Sequence, residues 1–231
     1  MGPTSNNYLI LNNTLTKRKE LFRSRRAGIV NIFTCGPSIY RRPHIGNYRT
    51  FIYEDILVKY LEYLGYRVNR VINFTDIEDK TISTASQEGI GVSQLTQSVE
   101  ETIFQEVDEL SIRFPDEIQR SSTTIETAVE IIQTLVEKGH AYWYEGNVYF
   151  DPLTYDDFGA VFGLDMSRWP KKKVRFSKDT YNGQRWNLGD FILWHGYDGG
   201  DWINWDTKIG KGRPSWNVQD PAMIVQGIGY E

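Results

Sequence analysis

The sequence predicts an α/β fold built on parallel strands, and three observations carry that prediction. A β-rich run, "GIVNIFTC" (28–35), is followed by a loop with glycine and proline, a helical stretch and a second β-rich run, "YRVNRVINF" (66–74). That succession has the length of a right-handed βαβ crossover, which makes its two strands parallel. Two further amphipathic helical stretches follow at 92–112 and 121–140, as expected where helices cover such a sheet.

Each element has a local reason. From Ile45 to Leu64 apolar residues recur at helical spacing: Ile45, Phe51, Ile52, Ile56, Leu57, Tyr60, Leu61 and Leu64. Gly65 then stands where a left-handed helix stop is usual. "TDIEDKTISTASQEG" (75–89) begins another helix, with Thr75 or Asp76 as its cap. The stretch 121–140 opens on Ser and Thr and closes at Gly139. "AYWYEGNVYFD" (141–151) reads as a hairpin around Glu145-Gly146-Asn147. Residues 154–190 are rich in Asp, Lys, Gly and aromatics and read as an irregular insertion, with "PKKK" (170–173) its most basic point. "DFILWHGY" (190–197) is a strand returning to the core, and "GKGRPSWNVQDPAMIVQGIGYE" (210–231) is a loop followed by a helix. In that helix Asp220 reads as a cap, with Pro221 at the first helical position.

Composition narrows the function classes. Of the 231 residues, 40% are hydrophobic and 24% charged, which suits a soluble, cored domain. No apolar run of about eighteen residues implies a membrane span, and the polar start lacks a signal-peptide core. The single cysteine excludes an internal disulfide and fits a reducing compartment, so a cytoplasmic location is expected. A net charge of −4 argues against a wholly basic nucleic-acid binder, while leaving room for a local basic patch.

Chemistry concentrates in "TCGPSIYRRPHIGN" (34–47). In open α/β sheets, ligands sit beyond the carboxyl ends of the strands. Cys35 lies at one such end, and Asn73-Phe74-Thr75 at the other. His44 to Asn47 stand at the start of the following helix, where free N–H groups and the helix dipole favour anions such as nucleotide phosphates. His44 and Asn47 are three residues apart, and Gly46 between them permits close backbone approach of a nucleotide. A histidine near a helix start is by itself more often a cap or a surface residue. Its place after a strand and loop is what raises the functional reading.

The ordered set of segments resembles the catalytic domain of cysteinyl-tRNA synthetases, class I aminoacyl-tRNA synthetases. It includes "NTLTKRKELF", "FTCGPSIYRRPHIGNYRTF", "DILVKYLEYLGYRVNRVINFTDIEDK", "LVEKGHAY", "DFILWH" and "GRPSWNVQDPAM", and extends over nearly all of residues 12–223. The resemblance implies a Rossmann-like, doubly wound parallel sheet split by a connective insertion. Its divisions would be 1–112 for an N-terminal extension and first half, 113–190 for the insertion and 191–231 for the start of the second half. It implies activation of an amino acid by ATP to an aminoacyl-adenylate, with Mg2+ on the phosphates, followed by esterification to tRNA. The HIGH-type signature would place His44 and Asn47 as catalytic residues, with Ser38 and Gly46 beside them at ATP. Cys35, Gly36, Pro37, Ser38, Thr50, Asn73, Phe74, Thr75 and Trp216 would line the adenylate. Ser38 stands where threonine is more usual.

Two departures from the family pattern bear on function. The family holds a Zn2+ ion that grips the substrate thiolate. Cys35 matches the first ligand, whereas Asp220 falls where a second cysteine is usual, and the last two ligands would lie beyond residue 231. Zinc accepts carboxylate oxygen as well as sulfur, so two readings stand. One is a harder Cys35/Asp220 metal site; the other is a metal-free corner where Cys35 is a packed strand-end residue and Asp220 offers a carboxylate to a polar or cationic substrate. The second departure is the absence of the KMSKS loop, for which "RFSK" (175–178) is no substitute, and of the tRNA-binding helical domain. The sequence therefore reads as a fragment or as a chain completed by a partner, weak or inactive alone. Two alternatives to a cysteine–tRNA ligase remain: an amino-acid ligase acting on a small amine, like the mycothiol-pathway ligase, and a nucleotide-binding module without catalysis.

Overall fold

The computed structural model describes residues 8–168, 189–200 and 202–230. The "PKKK" and "RFSK" segments lie outside the described residues. Strands β1 (Ile10–Asn13) and β2 (Arg18–Leu21) form an antiparallel hairpin. Strand β3 (Ile29–Thr34), helix α1 (Ile45–Tyr63) and strand β4 (Arg67–Phe74) form the βαβ unit, and β3 and β4 pair in parallel from Ile29↔Arg67 to Thr34↔Ile72. Helices α2 (Asp79–Glu88) and α3 (Val92–Glu109) follow, and strand β5 (Glu117–Arg120) pairs in parallel with β4. The parallel sheet thus runs β3-β4-β5.

Helix α4 (Ile125–Glu137) leads into a second, antiparallel sheet of order β6-β7-β8-β10-β9. Its strands are β6 (Ala141–Tyr144), β7 (Asn147–Phe150), β8 (Phe191–Gly196), β9 (Trp205–Thr207) and β10 (Gly210–Pro214). Helix α5 (Trp216–Ile228) closes the described chain. The β6–β7 hairpin turns at Glu145 and Gly146, both at positive φ, as a two-residue turn matched to strand twist requires.

Strand β5, just past the expected division at 112/113, belongs to the parallel sheet, and β8, just past that at 190/191, pairs with β7 on one side and β10 on the other. Several local expectations are corrected. The segment read as a loop at 210–214 is β10. The cap of α2 is Glu78, without a side-chain capping bond. Asp76 instead accepts hydrogen bonds from the Ser121 hydroxyl at 2.7 Å and the Ser122 N–H at 2.9 Å, tying the end of β4 to the turn after β5. Asp220 is not a cap either. Ser215 caps α5, accepting from Asn217 N–H at 3.2 Å, and Pro221 lies inside the helix.

Packing follows the two-residue alternation of β4. Ile72 and Phe74 face α1 and α3, where they join Tyr48, Phe51, Leu95, Val99 and Ile103 in one core. Val71 and Asn73 face α5, whose Gly227 passes so near Val71 that an added Cβ would stand 2.7 Å from it. A second core beneath the antiparallel sheet joins Trp194 and Leu193 of β8 to Ala128, Val129 and Ile132 of α4 and Val218 and Ala222 of α5. α5 therefore packs on both sheets. The buried face of α1 is Tyr48, Phe51, Asp55, Val58 and Leu61, while Ile45, Ile52, Ile56 and Tyr60 of the expected apolar face are exposed.

Candidate functional site

The loop after β3 is tied to the end of β4 by backbone and side chain alike. Thr75 N–H donates to the Pro37 carbonyl at 3.5 Å, and Ile39 N–H to the Thr75 carbonyl at 3.2 Å, so Ser38 and Thr75 bridge in parallel. Gly36 N–H donates to Asn73 Oδ1 at 2.7 Å. A Cβ on Gly36 would lie 1.8 Å from the Asn73 carbonyl oxygen, which is why only glycine fits there.

Asn73 is the hub. Its Nδ2 donates to Asp220 Oδ1 at 2.7 Å, so the backbone of the β3 loop, the end of β4 and the middle of α5 form one chain of hydrogen bonds. Asn73 is only 3% exposed, while Cys35 is exposed and Asp220 partly buried. Burial pushes the Asp220 carboxyl above its ordinary range; the Asn73 bond pulls it back and the charge of Glu78 adds to the rise. Burial likewise raises the Cys35 thiol, helped by the carboxylates of Asp220 and Glu54.

The second corner lies at the start of α1. His44 is the N-cap: its Nδ1 accepts from Gly46 N–H at 3.0 Å, and Asn47 Oδ1 accepts from His44 N–H at 3.1 Å. That reciprocal box settles which atoms remain for a ligand. An accepting Nδ1 leaves the neutral ring's proton on Nε2, and an accepting Oδ1 leaves the Asn47 amide nitrogen as donor. Both residues thus keep a donor beside the free N–H groups of the helix. At Gly46 a Cβ would lie 2.7 Å from the His44 ring, so glycine lets the imidazole fold back over the helix.

His44 and Asn47 line a cavity of about 210 Å³ with Pro37, Ser38, Tyr40, Arg41, Arg42, Pro43 and Lys80. Arg41 and Lys80 both sit over the Tyr40 ring, at 5.2 and 5.7 Å from its centroid. Arg42 pairs with Glu106, which also accepts from Tyr48. Sequence reasoning passed over Lys80 and Arg41. Their signal is faint: Lys80 is one lysine in the first turn of α2, and only the fold brings it across to Tyr40.

The remaining expected site residues are placed unevenly. Phe74 is 1% exposed and its side chain packs in the core near Phe104, on the sheet face opposite Asn73. Thr50 is exposed on α1 and donates back to the Gly46 carbonyl at 3.3 Å. Trp216 opens α5 and is 62% exposed; no described hydrogen bond or ring contact ties it or Thr50 to the Asn73 hub.

The residues present do not fit the expected thiolate-gripping zinc. Asp220 Oδ1 is already held by Asn73, and a hard oxygen replaces a soft sulfur beside the one thiol. Among the described residues no three His, Cys, Asp or Glu side chains gather in a metal-holding group. No helix among those residues is long and apolar enough to cross a membrane.

Comparison with known proteins shows the family. The profile of the class I (C) tRNA synthetase catalytic domain matches residues 21–231. The chain is 34% identical over 224 residues to a cysteine–tRNA ligase of Brachyspira hyodysenteriae, covering 96% of this chain and 47% of that protein. It is 35% identical to the enzyme of that name from Lactobacillus delbrueckii subsp. bulgaricus and 37% to that of Chlamydia pneumoniae, each match covering 94% of this chain and 46% of the relative. The chain spans about half the length of these relatives. With its parallel β3-β4-β5 sheet, its capped helix start after the first strand and this match over almost its whole length, the chain belongs to the class I (C) tRNA synthetase catalytic-domain family.

Proposed function

We propose that this chain forms the amino-acid-activating site of a cysteine–tRNA-ligase-like enzyme, which joins an amino acid to AMP at the expense of ATP. The observation that carries the reading is the capping box at His44 and Asn47, which leaves two side-chain donors at a helix N-terminus. Lys80 and Arg41 stand across the same cavity. Donors and cations of this kind stabilise charge that builds on phosphate oxygens as pyrophosphate leaves. The corner suits phosphates rather than a bare cation, so Mg2+ is expected to arrive bound to the nucleotide.

The amino-acid carboxylate is the nucleophile and attacks the α-phosphorus; the Pα–O bond to pyrophosphate breaks. The protein supplies no covalent partner. Its contribution is to hold the two reactants in line, with the amino acid beside Cys35, Asn73 and Asp220 and the nucleotide beside His44, Gly46, Asn47 and Ser38. Transfer of the activated group to tRNA is the expected second step in the whole protein.

The test is ATP–pyrophosphate exchange by the whole protein, without tRNA, for each of the twenty amino acids. Exchange is expected with at least one, and His44→Ala is expected to lower it by roughly 10²–10³-fold, the scale for losing one preorganised donor. ATP binding with no exchange for any amino acid would instead point to a nucleotide-binding module. Exchange without tRNA charging would point to an acceptor other than tRNA.

A further inference from the structure

The corner around Asp220 is built differently from a metal-held thiolate pocket, and the difference has a chemical direction. Asp220 Oδ1 is fixed by Asn73 Nδ2 at 2.7 Å, and Asn73 is fixed by the Gly36 N–H at 2.7 Å. The carboxylate is therefore oriented by a two-bond relay anchored in the backbone beside Cys35. Its second oxygen has no hydrogen-bond partner among the described residues, and the side chain is not sealed from solvent. Glu78, the residue that caps α2, adds a buried carboxylate oxygen without a partner, and its charge reaches Asp220. An ionised carboxylate only accepts hydrogen bonds. A substrate thiolate would meet like charge here, whereas a hydroxyl or ammonium would meet an acceptor.

We infer that Asp220 selects the amino acid by accepting a hydrogen bond from its side chain, and that the preferred amino acid ends in a hydroxyl or ammonium group. This rests on the activation reading and specifies its substrate class. The expected discrimination is large, because a site built to hydrogen-bond a substrate group rejects an analogue lacking it far more strongly than shape alone does.

The test measures binding, which needs no turnover. Non-hydrolysable aminoacyl-sulfamoyl-adenosines carrying alanine, serine, 2,3-diaminopropionate and cysteine side chains are titrated calorimetrically into the protein, with zinc measured by elemental analysis. The seryl or diaminopropionyl compound is expected to bind roughly 10⁴-fold tighter than the alanyl one. The decisive variant is Asp220→Asn. Its oxygen can still accept from Asn73, keeping the relay, while its amide nitrogen replaces the free acceptor with a donor. The preference is expected to fall below about tenfold, with the thermal midpoint little changed. If Asp220 merely braces the loop, the variant keeps the wild-type ranking and the inference fails. It fails equally if the cysteinyl compound binds tightest with one zinc per chain, or if all four compounds bind alike. Binding by none of the four, with none by ATP, brings down the activation reading itself.

Discussion

Asn73→Ala tests the central claim, that one buried amide holds the site together. The side chain is 3% exposed and makes two bonds of 2.7 Å, one from the Gly36 N–H and one to Asp220. A neutral hydrogen bond of this kind contributes about 1 kcal/mol net, and one to a charged group about 1.5–3. Truncation also leaves the Gly36 N–H and one Asp220 oxygen without their partner, which puts the expected loss at about 3 kcal/mol. That is roughly a hundredfold in the folded-to-unfolded ratio. With a urea dependence of about 3 kcal/mol per molar, the midpoint moves down by about 1 M. Equilibrium urea unfolding followed by far-UV circular dichroism measures it. Asp220→Ala closes a double-mutant cycle, and because the two residues share one bond, the pair is expected to be coupled by about 1–2 kcal/mol. A loss below about 1 kcal/mol, or strict additivity in the cycle, refutes the relay.

Three further outcomes follow from the fold. Arg70 is 2% exposed and pairs with Glu54 at 2.8 Å; Arg70→Leu strands that carboxylate and is expected to cost about 3 kcal/mol at neutral pH. The deficit narrows in acid as Glu54, already raised by burial, becomes neutral, and an unchanged deficit across that titration contradicts the account. Ser215→Ala removes both the α5 cap and the hydroxyl's bond to the Ile192 carbonyl at 2.6 Å; about 1–2 kcal/mol is expected by denaturant melting, and a neutral variant argues against the cap. His195 on β8 is held down to about 4, first by burial, then by Arg213, with Asp79 opposing. The unfolded chain takes up this proton near pH 6.5 and the folded chain only near 4, so stability falls as pH falls through that window, by at most about 3 kcal/mol. His195→Gln flattens that part of the stability–pH curve, and a slope that survives the substitution assigns it to other groups.

Much of the layout was legible in the chain because its signals are local. The β3–α1–β4 unit shows itself through β-rich runs, helical spacing and Gly65, and each depends only on neighbouring residues. The His44–Asn47 corner was legible for the same reason, since a cap and its N3 partner are three residues apart. The apolar face of α1 was misread because a helix can turn apolar residues outward. Ile45 is 80% exposed while Asp55 is buried, and the neighbours that decide this lie on β4 and α3.

The sequence by itself determined the parallel βαβ frame, the helix start at His44, the loop opened by Cys35 and Gly36, and the substitution of a carboxylate at Asp220. Only the tertiary structure decided what these residues do to one another. Asn73 and Asp220 are 147 positions apart, and their bond exists because β4 alternation turns Asn73 toward α5 while Phe74 turns into the core. Lys80 meets Tyr40 because α2 doubles back beside the β3 loop. Pairing across such separations depends on which face of which element packs on which. No local pattern encodes that choice, because the free energy that makes it comes from burying both partners at once.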